Sequence, residues 1–412
     1  MTEPTEPTEP SDPPESGEQP DPSAQHDPGD GAGPTEPADP AAHDQHQIEH
    51  DQIEHDPDGV PERERVGRGA AGLLLAAMAG LVLSLILAQV TLPYAIMMPG
   101  PVTNTLGDVV EGVPLIDVEG APTFPTEGEL NFTTVRIGGG PGNETNVWDY
   151  VSAQLSNDAT LLPAEQLFPQ GVTRTEIRQE NQAQMEGSQQ GAAAVALRAL
   201  GHEVTETVTI VGVAEESDFA DRLEDGDVVV AVNDVPTDGA DAIRDEVAAV
   251  DPGGDIAVTI ERDGTEQVVT GKTMDLDGRS VLGIFLSRAF SSDVEVSITA
   301  GDVGGPSAGM MFALAIYDVL TEGPLTGGAQ ISGTGEITPE GEVGPIGGIR
   351  QKVIGAKAAG SSFFLAPQDN CAELDGAVPD GISVFSIGTF DEALAAVEGS
   401  AADDVDALPR CG

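Results

Sequence analysis

Ser307 sits in Gly304-Gly305-Pro306-Ser307-Ala308-Gly309, and 45 positions later Lys352 closes Gly347-Gly348-Ile349-Arg350-Gln351-Lys352. A serine hydroxyl needs a base before it can attack an amide carbonyl, and the usual base is a histidine. Five of the six histidines fall within the first 55 residues, which leaves His202 alone in the remainder. The chain has only three lysines, Lys272, Lys352 and Lys357, so a lysine in a glycine-rich motif is not one of many solvating charges. Ser307 is the candidate nucleophile and Lys352 the candidate base. Each also has a plain structural reading, since serine is a favoured helix N-cap and a helix lysine is ordinarily an exposed charge. To work near neutrality a lysine must titrate about 2 to 3 pH units below its usual ~10.4, a cost of about 3 to 4 kcal/mol that desolvation can impose. The catalytic reading therefore requires Lys352 to be buried. The field of 71 acids against 17 bases opposes that change by favouring the ammonium.

Two helices must position the pair. An apolar run over residues 308–320 predicts a helix that starts just after Ser307, which brings the hydroxyl next to unpaired first-turn amides suited to an oxyanion. A second helix is expected over 348–359, entered through Pro345-Ile346-Gly347-Gly348, with Ile349, Val353 and Ile354 as an apolar face beside Lys352. Between them stand Gly333-Thr334-Gly335-Glu336-Ile337-Thr338 and Gly341-Glu342-Val343. In order and spacing these motifs resemble the proteolytic domain of Lon proteases, over residues 281–400. The resemblance implies an α+β proteolytic domain with Ser307 as nucleophile, Lys352 as general base and Thr334 as a neighbour that orients the lysine. Many Lon enzymes carry an acid three residues before the serine, where this chain has Gly304.

Upstream, residues 205–275 read as strand, short helical stretch at 219–223, strand at 225–233, helix at 241–250 and strand at 256–262. This order resembles a bacterial PDZ domain, whose strand and helix form a groove for an extended peptide; the alternative is a small α+β domain that only packs on its neighbour. Residues 173–200 have helix-forming composition with small residues, among them Gly187, Ser188 and Gly191, that permit close packing, and are expected to join two domains. Residues 93–200 as a whole read as a β-rich membrane-proximal region, with strands such as 130–137, followed by that helical connector.

Residues 69–92 carry no charge, long enough at ~1.5 Å per residue to cross a ~30 Å hydrocarbon core. Arg63, Arg65 and Arg68 precede them, and the positive-inside rule then puts the N-terminus in the cytoplasm and the rest outside the cell membrane. A cleaved signal peptide and a buried core helix are the other readings; the long preceding stretch and the lack of an Ala-x-Ala site favour an uncleaved anchor. Residues 1–65, opening on three Thr-Glu-Pro triplets, lack apolar periodicity and read as a disordered acidic tail, whose histidines are either weak metal ligands or solvated side chains.

A net charge of −54 argues against nucleic-acid binding. The phosphate-loop lookalike Thr270-Gly271-Lys272-Thr273 has Glu266 where the loop needs glycine, so neither nucleotide nor other cofactor is expected. Cys371 and Cys411, the only cysteines, form one bridge or remain two buried thiols. Anchor, PDZ-like domain and Lon-type domain in that order look like the membrane-anchored PDZ-Lon proteins of Gram-positive bacteria. That resemblance implies polypeptide substrates cleaved without ATP, contact with the membrane through one helix, and a homo-oligomeric ring. An anchored peptide-binding scaffold that no longer cuts is the rival.

Overall fold

A computed structural model of the chain describes residues 68–169, 171–301 and 303–412. The acidic tail, its histidines, Arg63 and Arg65 lie outside the described residues. In chain order the helices used below are α1 (Arg68–Leu87), α2 (Val147–Leu155), α3 (Arg174–Ala199), α4 (Ala240–Ala248), α5 (Gly309–Leu320), α6 (Ile349–Ala358) and α7 (Phe390–Ala401). The strands are β1 (Tyr94–Asn104), β2 (Ile116–Glu119), β3 (Glu129–Gly138), β4 (Thr160–Pro163), β5 (Val204–Val213), β6 (Val228–Val232), β7 (Asp255–Arg262), β8 (Thr265–Lys272), β9 (Ile284–Ser292), β10 (Glu295–Ile298), β11 (Gln330–Gly333), β12 (Phe363–Pro367) and β13 (Ser383–Ile387).

The apolar helix α1 exposes its leucines and satisfies the length and hydropathy of a membrane span over Gly69–Leu87. It stops short of residue 92, because Val90 and Thr91 are β-branched and Pro93 follows; Thr91 and Leu92 instead pair with Asn146 and Thr145.

A six-stranded sheet in the order β13-β12-β11-β3-β1-β4 forms the frame of the site. Its four strands from β13 to β3 are parallel, whereas β1 runs antiparallel to both β3 and β4. The structure thus joins what the sequence reading kept apart, because β1, β3 and β4 from the 93–200 region share one sheet with β11, β12 and β13. Pairings such as Leu130 with Ile331, some 200 residues apart, leave no trace in local periodicity. Alternate residues of β12 serve two cores. Leu365 packs with α3, α5 and α7 on one face, and Phe364 and Ala366 pack with α6 on the other. α5 is apolar all round and buried from Gly309 to Ile316, as a helix covered on every side must be.

α3 begins where expected, capped by Thr173 in a reciprocal pair with Glu176, and buries Ser188, Gly191 and Ala192 against the nucleophile region and α5. It packs into this core, and β5 follows it directly in the chain.

The segment with the PDZ-like order has its own core of Val208, Ile210, Phe219, Ile243 and Ile260 and a sheet ordered β8-β7-β6-β5-β9. Residues 218–222 form successive turns, and no helix occupies 219–223. The outer strand β9 lies beyond the 205–275 segment and pairs with the whole of β5. The edge strands of this sheet are therefore β8 and β9. Arg288 of β9 bonds the buried Glu206, which also accepts the Ala240 amide at the start of α4. Lys272 ends β8 in an ion pair with Asp255, in a strand pair without the strand-to-helix turn of a phosphate loop. Cys371 and Cys411 are disulfide-bonded and tie the C-terminal end to the core beneath α6.

Candidate active site

Ser307 lies just before α5 and Lys352 on α6, helices on opposite faces of the sheet. They can meet only beyond a strand end, and the meeting point is the C-terminal end of β11, the usual location of sites on parallel sheets. Thr334 is the first residue past that strand and its amide bonds Leu365 of β12, which continues the ladder by one step. Lys352 lies one turn into α6, with its amide bonded to the Gly348 carbonyl. Gly348 itself is left-handed, with φ of 73°, and a Cβ there would fall 2.6 Å from the Met97 sulfur. The glycine lets α6 start tight against β1.

The Lys352 Nζ is 2.8 Å from the Ser307 Oγ and 2.9 Å from the Thr334 Oγ1. Lys352 is 2 % exposed and Thr334 fully buried, while Ser307 remains half-buried at the mouth. Burial pulls the Lys352 amine from its ordinary 10.5 down to about 7, and the nearby Glu336 carboxylate opposes the fall. Burial in turn raises Glu336, which Lys352 counteracts.

Hydrogen-bond direction is dictated by the Thr334 hydroxyl. Its single proton goes to the Ser307 carbonyl at 2.9 Å, so toward Lys352 it can only accept. A neutral Lys352 must then spend an N–H on Thr334, and its lone pair is free to accept the Ser307 Oγ–H. The arrangement can take a proton from a serine hydroxyl at neutral pH. Around the nucleophile the Gly335 amide bonds the Ser307 carbonyl, the Met310 amide bonds the Gly335 carbonyl, and the Gly309 amide reaches Pro306. Among the described residues the Ser307 and Ala308 amides have no protein acceptor, which makes them the donors available to an oxyanion.

Two supporting residues escaped the sequence reading. Ser188 of α3 donates to the Pro306 carbonyl at 2.8 Å, and the Asn181 carbonyl accepts the Gly305 amide at 2.8 Å. A Cβ at Gly304 would sit 2.9 Å from the Asn181 Cβ, so α3 leaves no room for a side chain three residues before the serine. The one signal for Ser188 was the small residues around it, Gly187, Gly191 and Ala192 to Ala194; Asn181, acting through its backbone carbonyl, had none. His202 is turned elsewhere, 3.4 Å from Asp293.

A cleft runs along α3 and ends at Gly304, three residues before the serine. One part, of about 600 Å³, lies between Glu186, Gln189 and Ala193 of α3 and Phe290, Val296 and Ile298 of β9 and β10; a second, of about 670 Å³, continues past Thr299 and Val303 to Gly304. β10 pairs only with β2 among the described residues. Because the Thr299 amide bonds Leu115, the in-register residues 297 and 295 also face β2, and the backbone groups of Val296 and Ile298 point toward the cleft.

Residues 282–397 match the Lon protease (S16) C-terminal proteolytic domain. The matched segment begins two residues before β9 and ends within α7. Lon protease 1 of Sorangium cellulosum is 35 % identical over 172 residues, 38 % of this chain and 20 % of that protein. Lon protease 2 of Thermus thermophilus is 40 % identical over 94 residues, 22 % of this chain and 11 % of that protein. The chain spans about a fifth of the length of the first of these relatives. Among solved structures, the PDZ domain of an SdrC-like protein of Listeria monocytogenes is 18 % identical, covering 19 % of this chain and 85 % of that one, with a TM-score of 0.19. The PDZ domain of an SdrC-like protein of Listeria innocua is similar at 17 % identity and the same TM-score.

Proposed function

We propose that the chain is an ATP-independent serine endopeptidase, held in the cell membrane by α1, that hydrolyses extended polypeptides outside the cell. The observation that carries this reading is the buried Lys352 amine, titrating at about 7, within 2.8 Å of the Ser307 hydroxyl. Lys352 takes the Ser307 proton as Oγ attacks the scissile carbonyl, and the amides of Ser307 and Ala308 hold the oxyanion. The new ammonium is offset by Glu336 and bonded to Thr334, and it returns its proton to the leaving amine. Water, deprotonated by the same lysine, then releases the acyl group. The cleft along α3 suits an extended segment that pairs with the open backbone of Val296 and Ile298, a sequence-tolerant mode of capture. The edge position of β9, whose Phe290 lines the same cleft, supports a peptide-binding role for the PDZ-like module. Anchoring rests on the length and apolarity of α1, and the outward orientation on the arginines before it.

Cleavage of an unfolded polypeptide by the detergent-solubilised chain, without nucleotide, tests the reading against Ser307→Ala and Lys352→Ala. Activity in the parent chain and loss in both variants is expected. No cleavage, together with no labelling of Ser307 by a serine-directed boronate, would leave the peptide-binding scaffold as the better account.

A further inference from the structure

α2 carries an unpartnered apolar stripe. Trp148, Val151 and Leu155 are 45 %, 40 % and 82 % exposed. At about 100° per residue they lie within about 60° of one another on the helix surface. The opposite side faces the protein, with Ala153 buried and Tyr150 against Tyr94 at 5.1 Å. Asp149, on the flank, is engaged in the reciprocal cap with Asn146. No lysine or arginine lies on the helix.

The stripe is fixed to the end of the apolar helix by two independent contacts. The Trp148 indole N–H donates to the Ser84 carbonyl at 3.1 Å, and Ser84 lies three residues, about 4.5 Å, before the end of α1. Thr91 and Leu92, just after α1, pair with the two residues that precede α2. Trp148 is thereby held at the depth where a helix spanning a bilayer crosses from hydrocarbon to headgroups, the level that tryptophan favours. We infer that α2 lies in the interfacial layer of the membrane α1 enters, with Trp148, Val151 and Leu155 turned into lipid. This rests on reading α1 as a membrane span. Three side chains on a nine-residue helix are too small for a stable subunit interface, which needs about 1,000 Å² or more. With acidic neighbours and no basic residue on the helix, the contact is apolar and does not depend on anionic lipid. It would hold the body of the protein against the membrane surface.

Trp148 is the only tryptophan, so its fluorescence reports this contact without labelling. The full chain is reconstituted in dioleoylphosphatidylcholine vesicles with and without phosphatidylcholine brominated high or low on the acyl chain. Lipid brominated near the headgroup is expected to remove about half of the emission, more than deeply brominated lipid does, with little quenching by aqueous iodide. Leu155→Glu, at a position exposed enough to leave the fold intact, should reduce the lipid quenching. Quenching by iodide alone would show α2 in water, and protection from both quenchers would show it covered by protein; either overturns the inference. A Trp148→Phe, Met78→Trp chain moves the indole to the middle of α1. If deep bromines quench this variant while Trp148 is untouched by lipid, the span stands and the seat of α2 is wrong; if they do not, the span itself fails.

Discussion

A lysine that titrates near 7 leaves a signature that an ordinary lysine cannot. Taking Lys352 at about 7, the neutral fraction is about one-tenth at pH 6 and about nine-tenths at pH 8, so kcat/KM should rise about tenfold across that interval and then level off. A lysine at its ordinary 10.5 would instead give about a tenfold rise for every pH unit through pH 9, with no break. The assay is cleavage of a quenched-fluorescent peptide at subsaturating concentration from pH 5 to 9.5, at constant ionic strength. Glu336→Gln sharpens it. The carboxylate is the named charge that pulls the Lys352 value upward, so removing it should move the break to lower pH while the amount of folded protein is unchanged. A break displaced toward alkaline pH in the variant, or no break in the parent chain, would refute the assignment of Lys352 as base.

Thr334→Val keeps the size of the side chain and the backbone bond to Leu365 but removes the acceptor that orients Lys352; kcat/KM should fall about 10- to 100-fold, with Thr334→Ser restoring most of it. Lys352→Met is expected to change the pH dependence of stability. The folded-state value is depressed, so the unfolded chain binds more protons between about 7 and 10.5, and the parent chain gains up to about 5 kcal/mol over that rise in pH that the Met variant lacks. Parallel urea midpoints for both proteins at pH 6.5 and 9 would contradict this. Asp318 is buried in α5 with one oxygen accepting the Leu325 amide and the other unpartnered, and burial raises its pKa. Stability from this group is therefore lost as pH rises above the usual carboxylate range; Asp318→Asn should be neutral or stabilising at pH 8, whereas Asp318→Ala should cost about 1 to 3 kcal/mol by orphaning the amide, both read from denaturant midpoints.

Much of the site could be read from the chain. Ser307, Thr334 and Lys352 stand in glycine-marked motifs, and the helices after Ser307 and around Lys352 begin within a residue of their expected starts, because an apolar run and glycine punctuation are local signals. The PDZ-like module was legible up to residue 275. Its edge strand β9 was not, since it pairs with β5 across some 80 residues. The supporting role of α3 was equally hidden. Ser188 and Asn181 act through contacts to Pro306 and Gly305, and nothing in a helix-forming stretch tells which distant loop it will brace.

By itself the sequence determined the local elements, the apolar span and the identity of the chemical groups, because each depends on residues close together in the chain. Only the tertiary structure decided whether those groups could react. It placed three strands from residues 93–200 in the same sheet as the motif-bearing segment and brought Ser307 and Lys352 from opposite faces together at the end of β11. It also buried Lys352 to 2 % exposure. Desolvation is a property of everything packed around an amine, and no spacing along a chain encodes it.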